Sequence, residues 1–440
     1  MKKKLFTLIE LLVVIAIIAI LASMLQDYWD KYINADDSFG LVTVDNQPKP
    51  SFVAYNELIR QLANTVPESN RELDARLESY RFSNAGEDVY VAWPKQDNAA
   101  FSFCLKSPVP VRLIDLFGNV ETLAPVNGIV FVNTKPLPFY LRMKKGTASP
   151  VGELVSVAEN AVRLPGEKRP LALEFRNPYR EPVEYALTYG STTLRGRAAS
   201  GQKVEMTLPL AIEADAAPGV VSFPVTLELS TAKGQLLYRG GIVLRAFVAL
   251  PVGTDAKSAR PIILDSEHVL TELVFDPTTP RWSGKDDLSA EVRVFRKADR
   301  LLFEADVRDQ DHSAPNRGAT VWRNDSIQLG FANAKGEHTE ITVSDGPDGK
   351  PVAWCHLSPE PAKVGALEIP LSVSRENGVT RYRFEIPLAF LRIGARPGEL
   401  FRMAFLVNDN DSGKRLRVME FFGGIEGGKN TELFGYCQLQ

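Results

Sequence analysis

The sequence has few of the residues that build disulfide scaffolds, zinc centres or basic binding surfaces. Its 440 residues include 3 cysteines and 4 histidines. The cysteines are scattered, which allows at most one disulfide and no zinc-site spacing, and no two histidines have the spacing of a zinc-protease helix. The 51 basic and 54 acidic residues give a net charge of −3, so there is no overall positive field for a phosphate backbone. We therefore expect neither a metalloprotease nor a nucleic-acid partner.

The composition is that of several folded domains. A hydrophobic share of 45% and a charged share of 24% are typical of soluble globular chains. At roughly 150 residues per domain, the length indicates about three domains. Short alternating segments punctuated by glycine and proline predict a mainly β fold, with an N-terminal transmembrane helix followed by three β-sandwich domains.

One long apolar segment runs from Leu5 to Leu25, directly after three lysines. It is long enough to span a membrane, and the lysines favour a cytoplasmic N-terminus with the rest of the chain exported. A cleaved secretory signal and an ordinary signal anchor are the two simplest interpretations. Neither explains Glu10, because a carboxylate inside an apolar helix is costly and usually has a function.

The segment FTLIELLVVIAIIAILA resembles the N-terminal helix of type IV prepilins and type II secretion pseudopilins. The resemblance implies that a prepilin peptidase cuts between Leu5 and Phe6 and that Glu10 serves assembly with pilin-like subunits. The sequence departs from the family at Leu5, where the family has glycine. From the resemblance of the rest of the segment, we predict a prepilin-like transmembrane helix over residues 1–35, in a bacterial inner membrane, with the domains periplasmic or extracellular.

Residues 36–145 predict a strand, an amphipathic helix that starts near Ser51, and a small β-sandwich. The helix is expected to bury one face formed by Val53, Leu58, Ile59 and Leu62. This region weakly resembles the end of the barrel, and the sandwich after it, in retaining glycoside hydrolases of the clan A type. Such a barrel needs about 200 residues and carries the catalytic carboxylates. Since the chain lacks it, we expect a non-catalytic remnant and no catalytic residues.

Two further sandwiches are expected after this region. Residues 149–251 contain several short strands typical of an immunoglobulin-like domain, which we interpret as a spacer. Residues 259–440 predict a larger antiparallel sandwich with acidic loops at its ends.

The phrases DLSA, LLFEADVRD, WRNDSIQL and VNDNDSGKR, in this order, resemble family 9 carbohydrate-binding modules. The resemblance implies a sugar ring gripped by aromatic side chains, together with bound calcium. An indole suits this role because it covers the flat C–H face of a pyranose. Where the family has a second tryptophan, this chain reads EGGKNTELFG. The expected carbohydrate-binding residues are Trp322, Asn324, Asp325, Asn408 and Trp282. For Trp322, a purely structural role at the end of the sandwich is the alternative.

Closely spaced carboxylates favour a hard cation, so Asp309, Asp311, Asp409 and Asp411 are the expected calcium ligands. Solvated turns are the alternative interpretation for both pairs. His312 and His356 have no evident partner in the sequence, and no catalytic triad can be assembled.

These observations predict a non-catalytic, membrane-anchored, exported protein that binds a polysaccharide or oligosaccharide through its C-terminal sandwich. Two alternatives stay open. In the first, the protein is a structural minor pseudopilin of a type II secretion or type IV pilus-like system. In the second, it is the non-catalytic remnant of a glycoside hydrolase.

Overall fold

The computed structural model describes residues 41, 47–69, 72–95, 102–158, 161–270, 282–411, 413–426 and 428–440. The predicted membrane helix, with Leu5, Phe6 and Glu10, lies outside these residues. Among the residues that are described, no helix combines the length and apolar character needed to cross a membrane. The described residues divide into two compact units: those up to 161, 168–210 and 222–245 belong to the first, and those in 162–167, 211–221 and from 246 onward belong to the second.

The described chain is mainly β with sandwich-like sheets, which confirms this part of the predicted fold class. The first sandwich has one helix, α1 (Pro50–Leu62), and nine strands: β1 (Val66–Pro67), β2 (Leu77–Ser83), β3 (Glu87–Pro94), β4 (Ser102–Lys106), β5 (Val111–Asp115), β6 (Val120–Leu123), β7 (Ile129–Asn133), β8 (Phe139–Lys144) and β9 (Ser149–Gly152). Its sheets have the orders β1-β2-β3-β8-β5-β6 and β7-β4-β9, with a shared apolar core between them.

Helix α1 packs on the other face of the six-stranded sheet, where Ala54 and Leu58 contact Val89, Val91 and Trp93. The prediction of a helix here is confirmed, and Trp93 is a core residue. Of the predicted apolar face, Leu58 is buried and Leu62 packs against the same core, whereas the predicted start and the other two residues of the face were wrong. Pro50 is its first residue without any side-chain cap from Ser51, and Val53 and Ile59 are exposed. Glu57 and Gln61 take the buried face instead, because Arg60 and Gln61 both donate hydrogen bonds to the Glu57 carboxylate.

The middle of the chain forms eight strands: β10 (Val155–Val157), β11 (Val162–Arg163), β12 (Leu171–Arg176), β13 (Val183–Tyr189), β14 (Thr192–Ala198), β15 (Lys203–Leu208), β16 (Gly219–Ser230) and β17 (Leu236–Val248). They build sheets of three and five strands, ordered β10-β12-β15 and β11-β17-β16-β13-β14. Phe175 of one sheet packs against Tyr185 of the other, with ring centroids 5.0 Å apart. This arrangement is the two-sheet sandwich that the strand spacing predicts.

The C-terminal sandwich has thirteen strands: β18 (Leu250–Val252), β19 (Ile262–Leu264), β20 (Leu288–Lys297), β21 (Arg300–Asp309), β22 (Ser326–Ala332), β23 (His338–Asp345), β24 (Pro351–Leu357), β25 (Gly365–Ala366), β26 (Leu371–Glu376), β27 (Val379–Pro387), β28 (Leu400–Asp411), β29 (Lys414–Phe421) and β30 (Gly435–Leu439). The larger sheet has the order β18-β30-β28-β22-β23-β24-β25, with β29 also paired to β28, and the smaller sheet has the order β19-β20-β21-β27-β26. A continuous apolar core lies between the two sheets.

Two strands lie at the boundaries predicted between domains. β9 starts at residue 149 and pairs with β4 of the first sandwich. β18 ends at residue 252 and pairs with β30 of the C-terminal sandwich. The predicted boundaries stay predictions, but a fragment that starts at residue 259 would lose β18.

The outer face of the larger sheet is covered by residues 422–426 and 428–434, which we call the covering segment. Gly330 of β22 lies under it: a Cβ on Gly330 would stand 2.5 Å from Phe434 and 3.2 Å from Ile425. We expect Gly330→Ala to lower the free energy of unfolding of the second unit by about 1–3 kcal/mol, because the extra methyl overpacks this contact. Gly428→Ala is the matched control, since nothing lies within 4 Å of its Cβ position. Urea unfolding of both variants tests this, and equal stabilities would contradict it.

Candidate functional site

A pocket of about 380 Å³ lies on the outer face of the larger sheet of the C-terminal sandwich. The alternation of β22 creates this face, since Ile327 and Leu329 point into the core while Gln328 points outward. Antiparallel pairing of β22 and β23 brings Glu340 beside Gln328. At the β23–β24 irregularity, Glu340 pairs with Leu357 and Ile341 with Cys355, which leaves His356 as the extra residue of a bulge. Gln328, Glu340 and His356 therefore all line the pocket.

Trp322 forms part of the pocket wall from the 3₁₀ helix Gly318–Arg323, just before β22. Its ring is half-buried and has two guanidinium neighbours. The Arg415 guanidinium carbon lies 5.0 Å from the ring centroid, and that of Arg323 lies 5.1 Å away. Arg415 is held in place, because its Nε donates to Asn408 and its Nη2 pairs with Glu426 at 2.7 Å. The Arg323 side chain is exposed.

Glu340 is the most unusual polar group in the pocket, because its carboxylate is buried with only 2% of the residue exposed. Its Oε1 accepts hydrogen bonds of 2.7 Å from Gln328 Nε2 and from Lys429 Nζ. Its Oε2 is buried and accepts no hydrogen bond, and His338 Nε2 lies 4.0 Å away. Buried carboxylate oxygens are normally satisfied, so this open acceptor on a pocket-lining residue is a candidate partner for a ligand donor.

Burial lowers the pKa of both histidines beside Glu340, His338 and His356. His356 is therefore neutral at pH 7, and its Nε2 lies 2.9 Å from Thr342 Oγ1. A neutral imidazole offers one hydrogen-bond donor and one acceptor, whereas both nitrogens of a charged imidazole are donors. The neutral form therefore suits a sugar hydroxyl, which both donates and accepts.

A group of carboxylates comes together at the ends of β21 and β28 and in the loop before β22, which also carries Trp322. We call Asp309, His312, Asp325, Asp409 and Asp411 the acidic cluster. Ligand atoms of Asp309, His312 and Asp325 lie within 4.8 Å of one another, and so do those of Asp309, Asp409 and Asp411. Arg417 pairs with Asp409 and Asp411 through their Oδ2 atoms, at 2.7 Å each. Their Oδ1 atoms are buried without hydrogen-bond partners.

The cluster carries more negative charge than its neighbours balance. Burial, with the nearby Asp325, raises the pKa of Asp309 to about 7, and burial raises that of Asp409 to about 8. Both ring nitrogens of His312 are also buried without a hydrogen bond, and Nδ1 lies 3.2 Å from Asp325 Oδ2. Converging carboxylate oxygens fit a hard divalent cation such as calcium. The imidazole adds a nitrogen ligand, which Mn²⁺ or Zn²⁺ binds more readily than calcium does.

Comparison with known proteins finds a family match for the C-terminal region. Residues 272–440 match the carbohydrate family 9 binding domain-like family. The C-terminal region is a family 9-like domain. No curated protein matches the chain significantly.

Two of the similar solved structures are family 9 carbohydrate-binding modules from Caldicellulosiruptor kristjanssonii. The one in complex with glucose is 14% identical over 44% of this chain and 95% of that chain, with a TM-score of 0.33. The one with cellotriose is 13% identical over 44% and 93%, with a TM-score of 0.33. A family 39 glycoside hydrolase from Bacteroides cellulosilyticus is 32% identical over 23% of this chain and 21% of that chain, with a TM-score of 0.21.

Among the sugar-binding residues expected in the family 9-like domain, the structure places Trp322 at the pocket and four others away from its lining. Asn324 is fully buried, and its amide holds Asn316. Asp325 belongs to the acidic cluster, and the Asn408 side chain accepts a hydrogen bond from Arg415 Nε. Trp282 packs on the core and donates from Nε1 to the carbonyl of Leu288.

Among the expected calcium ligands, Asp309, Asp409 and Asp411 come together, whereas Asp311 is exposed and lies outside both groups. Sequence reasoning did not find His312, Asp325 or Arg417 in this cluster, nor Gln328, Glu340, His356 and Lys429 in the pocket. The outward position of Gln328 could be derived from the alternation of β22. The others depend on strand register, on a bulge and on the path of the covering segment.

Proposed function

We propose that the family 9-like domain binds a sugar ring in the pocket beside Trp322 and that the protein is a non-catalytic carbohydrate-binding protein. The observation that carries this proposal is that one pocket is lined both by the indole of Trp322 and by Glu340, a buried carboxylate whose Oε2 has no hydrogen-bond partner. An aromatic face for C–H groups and fixed polar atoms for hydroxyls are what a pyranose requires.

The residues divide this work between them. Trp322 covers the apolar face of the ring, and Glu340 accepts a hydroxyl hydrogen bond through Oε2. Gln328, His356 and Lys429 supply further polar atoms at the wall. A ring that stacks on Trp322 displaces the exposed Arg323 rather than Arg415, because Asn408 and Glu426 hold Arg415. Ile425 and Gly428 of the covering segment also line the pocket.

The acidic cluster fits the cation that the family resemblance implies. The oxygens of Asp309, Asp325, Asp409 and Asp411 would hold it, with His312 beside them. A bound divalent cation would supply the positive charge that the cluster lacks. Asp325 itself fixes the loop before β22, because its carboxylate accepts hydrogen bonds from the backbone amides of Ser313 and Asn410.

We also propose the anchored location expected from residues 1–35, with the domains periplasmic or extracellular. Sites built on one aromatic bind weakly, so several copies on one membrane or in a pilin-like assembly would raise the overall affinity. If the protein is instead a structural pseudopilin, the pocket binds no glycan.

Glu340→Gln tests the polar half of the site. We expect the dissociation constant for a bound oligosaccharide to rise at least about tenfold, because a hydrogen bond to a charged group contributes roughly 1.5–3 kcal/mol. Cellotriose is a suitable first probe, measured by calorimetry in a detergent without a sugar headgroup. Glu337→Gln is the matched control, since Glu337 pairs with Arg392 outside the pocket. Equal affinities for the two variants would remove Glu340 from the site.

A further inference from the structure

The acidic cluster and Trp322 are joined through one residue, Asp325. Asp325 lies three positions after Trp322 and is 5% exposed. Its Oδ1 accepts a hydrogen bond of 2.6 Å from the amide of Asn410, and its Oδ2 accepts one of 2.5 Å from the amide of Ser313. The same carboxylate belongs to the group of possible metal ligands with Asp309 and His312.

A second connection runs from β28 to the end of the 3₁₀ helix. The Asn410 side-chain amide donates to the carbonyl of Arg323, the residue after Trp322. Asn410 lies between Asp409 and Asp411 in the chain, and each of the three has a buried Oδ1 atom without a hydrogen-bond partner. The loop 312–325, which carries Trp322, is therefore attached to the acidic cluster at Ser313, at Arg323 and at Asp325.

The cluster has a second feature that points to a cation. Asp409 is completely buried, its Oδ1 has no hydrogen-bond partner, and it faces Asp309 and Asp411 within ligand distance. Arg417 already uses the Oδ2 atoms of both Asp409 and Asp411. The Oδ1 atoms of Asp409 and Asp411 and the carboxylate of Asp309 lie close together. Without a cation between them, repulsion between these carboxylates would push the loop and β28 apart.

We propose that Asp325 is a positioning residue that couples the two sites: a divalent cation in the acidic cluster fixes the loop 312–325 and so holds Trp322 at the pocket. Cation and sugar then bind cooperatively, and each raises the affinity for the other by the same factor. The coupling to sugar rests on the proposed function, whereas the ordering of the loop by the cation does not.

The first arm of the test uses the metal alone. The full chain is stripped with a chelator in a detergent without a sugar headgroup and then titrated with Ca²⁺, Mn²⁺ or Zn²⁺. Hydrogen exchange is followed at the amides of Ser313 and Asn410. We expect at least one cation to slow both amides about tenfold or more, and Asp325→Asn, which keeps an acceptor but loses the charge, to abolish most of this protection. Asp306→Asn, at a half-exposed aspartate that pairs with Arg383 outside this loop, should behave like the unmodified chain.

The second arm measures cellotriose binding with and without the protecting cation. We expect the dissociation constant to fall about fivefold or more when the cation is present, and the cation affinity to rise by the same factor when cellotriose is present. Exchange that no cation slows would overturn the proposal. Protection by the cation with identical cellotriose affinities would overturn the coupling. No cellotriose binding in either state would count against the proposed function, and the first arm would still decide whether the cation orders the loop.

Discussion

Replacing Arg417 by methionine is expected to destabilise the second unit by about 3–5 kcal/mol at neutral pH. Its side chain is 3% exposed and pairs with Asp287, Asp409 and Asp411, which are 5%, 0% and 16% exposed. Methionine fills a similar volume but leaves three largely buried carboxylates without their counter-charge. Hydrogen exchange of the slowest amides in β22 and β28 reports the free energy of unfolding of this unit directly.

The matched control is Arg396→Met. Arg396 also pairs with a glutamate, Glu399, but its side chain is 84% exposed, so its removal should cost less than about 1 kcal/mol. A divalent cation should restore part of the stability lost in Arg417→Met, because it supplies positive charge to the same oxygens. If Arg417→Met were as stable as the control, the acidic cluster would not be the charge-dependent centre described above.

Trp322→Ala is expected to weaken oligosaccharide binding at least about tenfold, equivalent to roughly 1.4 kcal/mol, while the domain stays folded. The ring provides the aromatic surface of the pocket, and alanine leaves nothing for the C–H face of a sugar to contact. Its removal is not a core mutation, because the ring is half-buried at the end of the sheet. Calorimetry with cellotriose and with any other oligosaccharide that binds measures the change.

Trp354→Phe is the comparison for this variant. Trp354 is also half-buried and belongs to β24 of the same sheet, but it does not line the pocket. It should therefore keep the affinity of the unmodified chain. Unchanged affinity in a folded Trp322→Ala variant would assign Trp322 to the structural role that sequence reasoning left open.

Much of the architecture could be predicted from local patterns. The alternation in β3, β20, β21 and β22 defines which side chains face the core, and the position of Trp322 before β22 places it at the mouth of a strand. The cap of α1 was missed because Pro50, with its fixed backbone angle, starts the helix before Ser51.

The site itself could be predicted only in part. Trp322 and three of the four aspartates were found, because each stands next to a strand whose end is visible in the sequence. Asn324 and Asp325 are polar neighbours of Trp322, but their buried amide and carboxylate hold backbone of the same loop. Glu340 and His356 reach the pocket through pairing across three strands and a bulge, which depends on register and not on local sequence.

Glycan binding in the pocket beside Trp322 can be tested on the full chain, in a detergent without a sugar headgroup. The chain is applied to a panel of plant and algal polysaccharides, with Trp322→Ala in parallel. We expect retention on at least one polysaccharide, competition by the matching free oligosaccharide, and loss of both in the folded variant. Binding to none of the glycans, or equal retention of the variant, would contradict this expectation.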